Sequence, residues 1–240
     1  MTATEDMTVR EIVASDFRTA EVFQRHGIDF CCKGNRSIEE ACRSGGVNLA
    51  RVLHEVAAIT ATPGSGGPRF NSWDLSTLVT YIQMNHHEFV RRTLPVLLTH
   101  TQKVAKVHGE SHTELREVAR LFTVVAEDMT SHMAKEEHIL FPYIVALEEA
   151  SVAGRGAPAS PFGTVRNPIR MMEMEHESAG DSMARIRELT SGYAIPEGAC
   201  TTYRVCLQEL EAFERDLHEH VHLENNILFP RALRLESETW

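Results

Sequence analysis

HMAKEEHILFP, residues 132–142, and HVHLENNILFP, residues 220–230, are two copies of one segment. Each opens with a histidine, places a glutamate four residues later and closes on ILFP, at an offset of 88 residues. Residues i and i+4 stand one above the other on a helix face. His132 and Glu136 therefore address one interior point, as do His220 and Glu224. A second pair keeps nearly the same spacing, His87-Glu88 and His176-Glu177, at an offset of 89. Each half of this repeat thus offers one upstream histidine and one H-x-x-x-E.

Helical patterns surround these segments, and no convincing strand pattern interrupts them. Asp74 can cap a helix running to about residue 108, kinked at Pro95 and stopped at Gly109. Ser111 and Glu114 spell a capping box for a second helix to about residue 149. SVAGRGAPASPFG reads as a loop. Asn167 as N-cap, with Pro168 at the first helical position, starts a third helix, which Gly192 and Pro196 interrupt. A fourth runs from about residue 199 to 235. Helices this long, joined by modest loops, bury their apolar stripes only by lying side by side. The expectation is an all-α, antiparallel four-helix bundle over residues 73–240. Residues 1–60 read as a small helical domain, from TVREIVA, FRTAEVFQRHG, SIEEACRS and NLARVLHEVAAI. Ser37 and Glu40 make a capping box there, and Gly27 and Gly45 look like helix stops. Residues 61–72, ATPGSGGPRFNS, read as a flexible linker.

In such a bundle, four imidazoles and two carboxylates point inward: His87, His132, His176 and His220 with Glu136 and Glu224. A glutamate from each half can bridge two metals, leaving two histidines for each. Imidazole and carboxylate without thiolate suit iron or manganese and argue against a structural zinc site. Each ion keeps open positions for water, an oxo bridge or a small ligand. H-E-x-x-H does not occur, so a zinc peptidase is excluded. One H-x-x-x-E on a helix is ordinarily a surface pair. Two matched copies, each with an upstream histidine, are not, since burying such groups without a partner costs several kcal/mol.

The remaining histidines are read more plainly. Only one of His86 and His87 can point inward, and His87 is chosen because its counterpart is His176-Glu177; His86 is the alternative. His218 and His222 share a face rotated from that of His220 and are expected to be exposed. His108 and His112 have a turn between them. Glu175 is either an outer partner of the site or part of a solvated face. Phe141, Pro142, Phe229 and Pro230 are packing residues at helix ends.

The formal charge is −10, so nucleic acid gains nothing as a partner. No window is apolar enough to span a membrane, and Glu5 and Asp6 sit where an apolar leader would be. The five cysteines are odd in number and scattered, which fits a reducing cytoplasm rather than a disulfide framework. Adjacent Cys31 and Cys32 are either small, partly buried hydrophobes or reactive thiols whose pKa Lys33 and Arg36 could lower.

The bundle resembles the haemerythrin-like di-iron superfamily. Over residues 8–232 the chain is similar to its repair-of-iron-centres family, on TVREIVASDFRTAEVFQRHGIDFCCKGNRSIEEAC, SHMAKEEHILFP and HVHLENNILFP. The family's four histidines and two bridging glutamates fall on the six residues named above. Oxygen-carrying haemerythrins differ, using five histidines, an aspartate and a glutamate without the Cys-Cys domain. The resemblance implies two iron ions and restoration of iron–sulfur clusters damaged by nitric oxide or peroxide. It implies delivery of iron from a labile centre to damaged iron–sulfur proteins or a scaffold, handling of nitric oxide, or both. It also favours Cys31 and Cys32 passing iron, persulfide or a nitrosyl group, with the linker swinging the thiols against the bundle.

Three functions follow: an iron donor, a di-iron nitric oxide reductase, and a sensor of nitric oxide or oxygen. The reductase would need outside electrons, since no flavin or nicotinamide motif is present. The sensor ranks last, since no signalling domain is read. The chain is expected to be a monomer or a dimer.

Overall fold

The computed structural model describes residues 3–62 and 69–239. Among the described residues there is no strand, only one isolated bridge between Thr8 and Ser37.

The N-terminal unit contains α1 (Val9–Ser15), α2 (Ala20–Arg25), α3 (Ile38–Gly45) and α4 (Leu49–Ala61). Thr8 and Glu11 form a reciprocal capping box at α1. Ser37 caps α3 by accepting from Glu40 N. Gly27 ends α2's turn at φ +67°, but α3 runs through Gly45 and ends at Gly46, φ +64°. Only the second glycine of the pair takes the left-handed conformation that a helix stop needs.

Four rods follow. The first joins α5 (Leu75–Ile82) to α6 (Glu88–His108), and the second joins α7 (Glu114–Lys135) to α8 (Phe141–Val152). The third is α9 (Arg166–Leu189), and the fourth joins α10 (Thr201–Leu223) to α11 (Phe229–Thr239). In space α6 lies beside α7, α7 beside α9, α9 beside α10, and α10 beside α6, which closes the antiparallel bundle. Pro95 sits inside α6, and the helix continues through it.

Two expected caps are replaced by distant carboxylates. Asp74 accepts from the Thr77 hydroxyl at 3.1 Å but from no backbone N–H of its helix start. Instead Glu148 on α8 accepts from Leu75 N at 2.6 Å and Ser76 N at 2.9 Å. The third helix begins at Arg166, before Asn167, and buried Glu236 accepts from Val165 N at 2.9 Å. A carboxylate at a helix N-terminus serves the orphan N–H groups whichever element carries it. The Ser111–Glu114 box does not form either. Thr113 precedes α7 in helical conformation, and Glu114 pairs with His112.

Two apolar clusters lie on opposite sides of the bundle's middle. One contains Phe122 and Phe213, ring centroids 5.4 Å apart, and runs on into Val9, Phe23 and Val52 of the N-terminal unit. The other contains Phe141, Ile144, Leu147 and Phe229. Of the expected linker, residues 63–68 lie outside the described residues. Its last part is ordered: Phe70–Ser72 is a 3₁₀ turn, with Phe70 buried against Trp73 and Tyr81. An aromatic side chain in a polar stretch still finds its apolar cluster.

Candidate metal centre

Three rods contain a five-residue π-helical turn: Gln83–His87, Glu136–Leu140 and Glu224–Leu228. Each includes one of the six sequence-derived residues, His87, Glu136 or Glu224. Such turns insert a residue into an α-helix and re-aim its side chains, and they concentrate at functional sites.

The six residues converge and are all buried. Two donor groups share both glutamates: His87, His220, Glu136 and Glu224 in one, His132, His176, Glu136 and Glu224 in the other. Nε2 of His87 lies 3.2 Å from Nε2 of His220, and Nε2 of His132 lies 2.9 Å from Nε2 of His176. Glu224 Oε1 is 3.0 Å from His220 Nε2, and its Oε2 is 3.1 Å from His176 Nε2. Glu136 Oε2 is 3.2 Å from His132 Nε2 and 3.4 Å from His87 Nε2.

The arrangement fits a pair of cations. Both oxygens of Glu136 and Oε2 of Glu224 are buried and make no well-aligned hydrogen bond, although imidazole nitrogens stand 3.1 to 3.4 Å from Glu224 Oε2 and Glu136 Oε2. Groups of this kind are costly unless something neutralises them. Two imidazoles on one ion, with bonds of about 2.1 Å at roughly a right angle, place their nitrogens about 3.0 Å apart. The two Nε2 pairs bracket that separation.

Three of the four Nδ1 atoms face an outer partner. Glu137 Oε1 accepts from His87 at 2.8 Å and is held by Arg91 at 2.9 Å. Glu175 Oε2 accepts from His132 at 2.9 Å, and Lys135 pairs with its other oxygen. Asn225 Oδ1 lies 2.9 Å from His176 Nδ1. His220 Nδ1 has none. Such partners fix the ring's orientation and raise its basicity as a ligand. Glu175 therefore takes the outer position. Glu137 and Asn225 were not singled out from sequence. The repeat contains their signal, since both directly follow the glutamate of H-x-x-x-E.

His86 joins neither group, yet it is buried. Its Nδ1 lies 3.0 Å from Asp216, and its ring stacks on that of His220 at 5.6 Å. His86→Ala is expected to retain the metal stoichiometry while losing about 1–3 kcal/mol of stability, measured by denaturant unfolding. Metal lost from this variant but kept in His87→Ala would reverse the assignment. His218 and His222 are not exposed as expected. They do face away from the centre, but the N-terminal unit covers that face. Phe30 stands 5.9 Å from His218 and 5.8 Å from His222, and Phe17 stands 5.5 Å from His222. Burial pushes His218 down to about 4 and His222 to about 3.

Burial opposes charge on His87, but Glu136 and Glu224 outweigh it and push its pKa up to about 10. Burial likewise opposes charge on His132, and Glu136 leads the groups that raise it to about 9. Both rings are therefore protonated at neutral pH, whereas a metal takes the neutral ring. Metal loading at pH 7 is expected to release about two protons per chain, with apparent affinity rising as pH rises toward 9. Proton release in weakly buffered solution checks this. No release would mean that the rings start neutral.

Cys31 and Cys32 lie at the N-terminal unit's face against α9, with Sγ atoms 3.8 Å apart and Asp29 Oδ1 3.3 Å from Cys31 Sγ. Cys31 is buried and Cys32 half-buried. The expected lowering of the thiol pKa does not hold for Cys31. Its neighbour Cys32 and burial push it well above the usual thiol range, and Asp29 adds to this. Arg36 reaches Ser44 instead. A cavity here is lined by Asp29, Cys31, Cys32, Glu177, Arg187 and His218.

A helical bundle with a histidine on every rod and shared glutamates defines a haemerythrin-type protein. The profile of the hemerythrin HHE cation binding domain matches residues 78–232, and that of a domain of unknown function (DUF542) matches residues 5–60. The relatives include iron-sulfur cluster repair proteins YtfE from Yersinia pestis (strains Pestoides F and Angola) and from Yersinia pseudotuberculosis (strain IP 31758). Each is 36% identical over 219 residues, covering 91% of this chain and 93% of the relative. The chain belongs to this family of iron-sulfur cluster repair proteins. No described helix is long and apolar enough to cross a membrane.

Proposed function

We propose that the chain holds two iron ions, one on His87 and His220, the other on His132 and His176, with Glu136 and Glu224 shared between them. It serves as a stress-response iron donor to iron–sulfur proteins or scaffolds damaged by nitric oxide or peroxide. The observation that supports this reading is the sharing of both buried glutamates by two otherwise separate imidazole pairs. Iron here is cargo. Two nitrogens and shared carboxylates hold it less tightly than a closed thiolate site would, and three outer groups (Glu137, Asn225 and Glu175) tune that hold.

Cys31 and Cys32 are the first acceptor in this reading. Two thiolates bound tetrahedrally to one metal at about 2.3 Å stand about 3.8 Å apart, which is the separation between these two sulfurs. Asp29 adds an oxygen donor within the same group. Cys32 Sγ packs against Gly180 on α9, one turn from His176, so acceptor and donor sites are neighbours.

The test is anaerobic. The protein is loaded with ferrous iron, metal per chain is counted, and an apo scaffold protein is added with sulfide. Two irons per chain, and cluster growth faster than from an iron chelate, are expected. Irons that stay in place would turn the reading to nitric oxide turnover at the same centre.

A further inference from the structure

The internal repeat allows the surroundings of the four histidines to be compared position by position. The residue after each H-x-x-x-E glutamate stands beside the upstream histidine of its own half. Glu137 does so for His87 and Asn225 for His176. The residue before each upstream histidine stands beside an H-x-x-x-E histidine of the other half. Glu175 accepts from His132, whereas His86 only stacks on His220. His220 Nδ1 and His86 Nε2 are both buried without a partner. The symmetry of the six donors is therefore not kept by the groups behind them.

Among the described residues, Asn225 is the one of these groups whose side chain also hydrogen-bonds the N-terminal unit. Its Nδ2 faces the Cys31 carbonyl at 3.5 Å, while its Oδ1 faces His176 Nδ1 at 2.9 Å. Next to it, Asn226 Nδ2 donates to the carbonyls of Phe30 at 3.0 Å and Cys31 at 3.3 Å. Both asparagines belong to the π-helical turn Glu224–Leu228. A side-chain amide has one accepting and one donating end. Engaged at both ends, Asn225 is fixed in the flip that accepts from His176. With the Cys31 loop withdrawn, the donor end is free and the amide can rotate away from the ring.

We infer that Asn225 is a positioning residue that makes the hold on the cation between His132 and His176 depend on the seating of the Cys31–Cys32 loop. The cation between His87 and His220, backed by Glu137, is indifferent to that loop. The inference rests on the two-cation reading above. An acceptor that draws the loop from its seat thereby loosens one ion and leaves the other.

The experiment starts from protein loaded anaerobically with ferrous iron, with metal per chain counted, and follows extraction by excess ferrous chelator. Wild type is expected to start at two irons and to lose them in two phases. Asn225→Ala should speed one phase by about 10- to 100-fold, the usual effect of removing an outer-shell partner, and leave the other unchanged. Asn226→Ala, which removes an amide hydrogen-bonded to Phe30, Cys31 and His222 and to none of the six donors, should speed the same phase. Asn225→Asp keeps the acceptor for His176 and removes the donor to Cys31. In that background Asn226→Ala should add nothing, as a double-mutant cycle would show. Equal change in both phases, no change in Asn226→Ala, or an Asn226→Ala effect that persists in the Asn225→Asp background would each overturn the coupling. Fewer than two irons in wild type would overturn the two-cation reading with it, whereas two irons with unaltered variants would overturn the coupling alone.

Discussion

Glu224→Ala is expected to empty the centre, leaving less than one iron per chain, with the far-ultraviolet helical signal unchanged. Glu224 belongs to both donor groups and is fully buried. It stands 3.0 Å from His220, 3.1 Å from His176 and 3.9 Å from His87. In the proposed two-iron centre, removing one histidine would weaken one ion, but removing this carboxylate would withdraw a negative donor from both. The helices do not depend on it. Phe122 and Phe213 hold one side of the bundle, and Phe141 and Phe229 the other. A ligand that binds only the folded state stabilises it by RT ln(1 + [L]/Kd), about 4 kcal/mol at a thousandfold excess over Kd. Wild-type thermal unfolding should therefore shift upward with ferrous iron, and that of Glu224→Ala should not. Full iron content with an iron-dependent transition in the variant would remove Glu224 from the ligand set. Glu136→Ala should behave alike, since it too is in both groups.

The sequence carried the four rods and the convergence of the six donors because both depend on spacing. Apolar periodicity sets the rods, and the paired H-x-x-x-E segments with their upstream histidines set the donors. The π-helical turns were invisible, because an inserted residue leaves composition and periodicity almost unchanged. They have a visible consequence. Glu136 and Glu137 are adjacent, yet one faces Nε2 of His87 at 3.4 Å and the other Nδ1 of the same ring at 2.8 Å. The distant caps from Glu148 and Glu236 were equally hidden, since they arise from tertiary neighbours, while Asp74, Ser111 and Asn167 offered local substitutes. His218 and His222 were misplaced for one reason. Their face was correctly separated from that of His220, but what covers it comes from nearly two hundred residues earlier in the chain.

That cover supplies the second large expected effect. Phe30→Ala should still load two irons per chain from excess ferrous iron, but it should unseat the N-terminal unit, speed release of the ion between His132 and His176, and abolish thiol-dependent transfer. The Phe30 ring packs against His218 and His222, and its carbonyl accepts from Asn226. Truncating a buried phenylalanine costs about 3–5 kcal/mol. Here that loss falls on the seam between the two parts, since neither histidine ring belongs to the six donors. The two imidazoles would then meet water, and their pKa values would climb back from about 4 and about 3 toward the ordinary value. Faster amide exchange in α1 to α4 than in α6, α7 and α9, with histidine titration followed by NMR, would register the unseating. The transfer assay then separates two uses of the Cys pair. If the thiols take iron while seated beside Gly180, transfer falls with the seam. If they work at the end of a swinging linker, the loosened variant transfers at least as fast as wild type. The closeness of Cys32 to α9, one turn from His176, favours the first, and transfer preserved in a fully unseated Phe30→Ala protein would decide for the second.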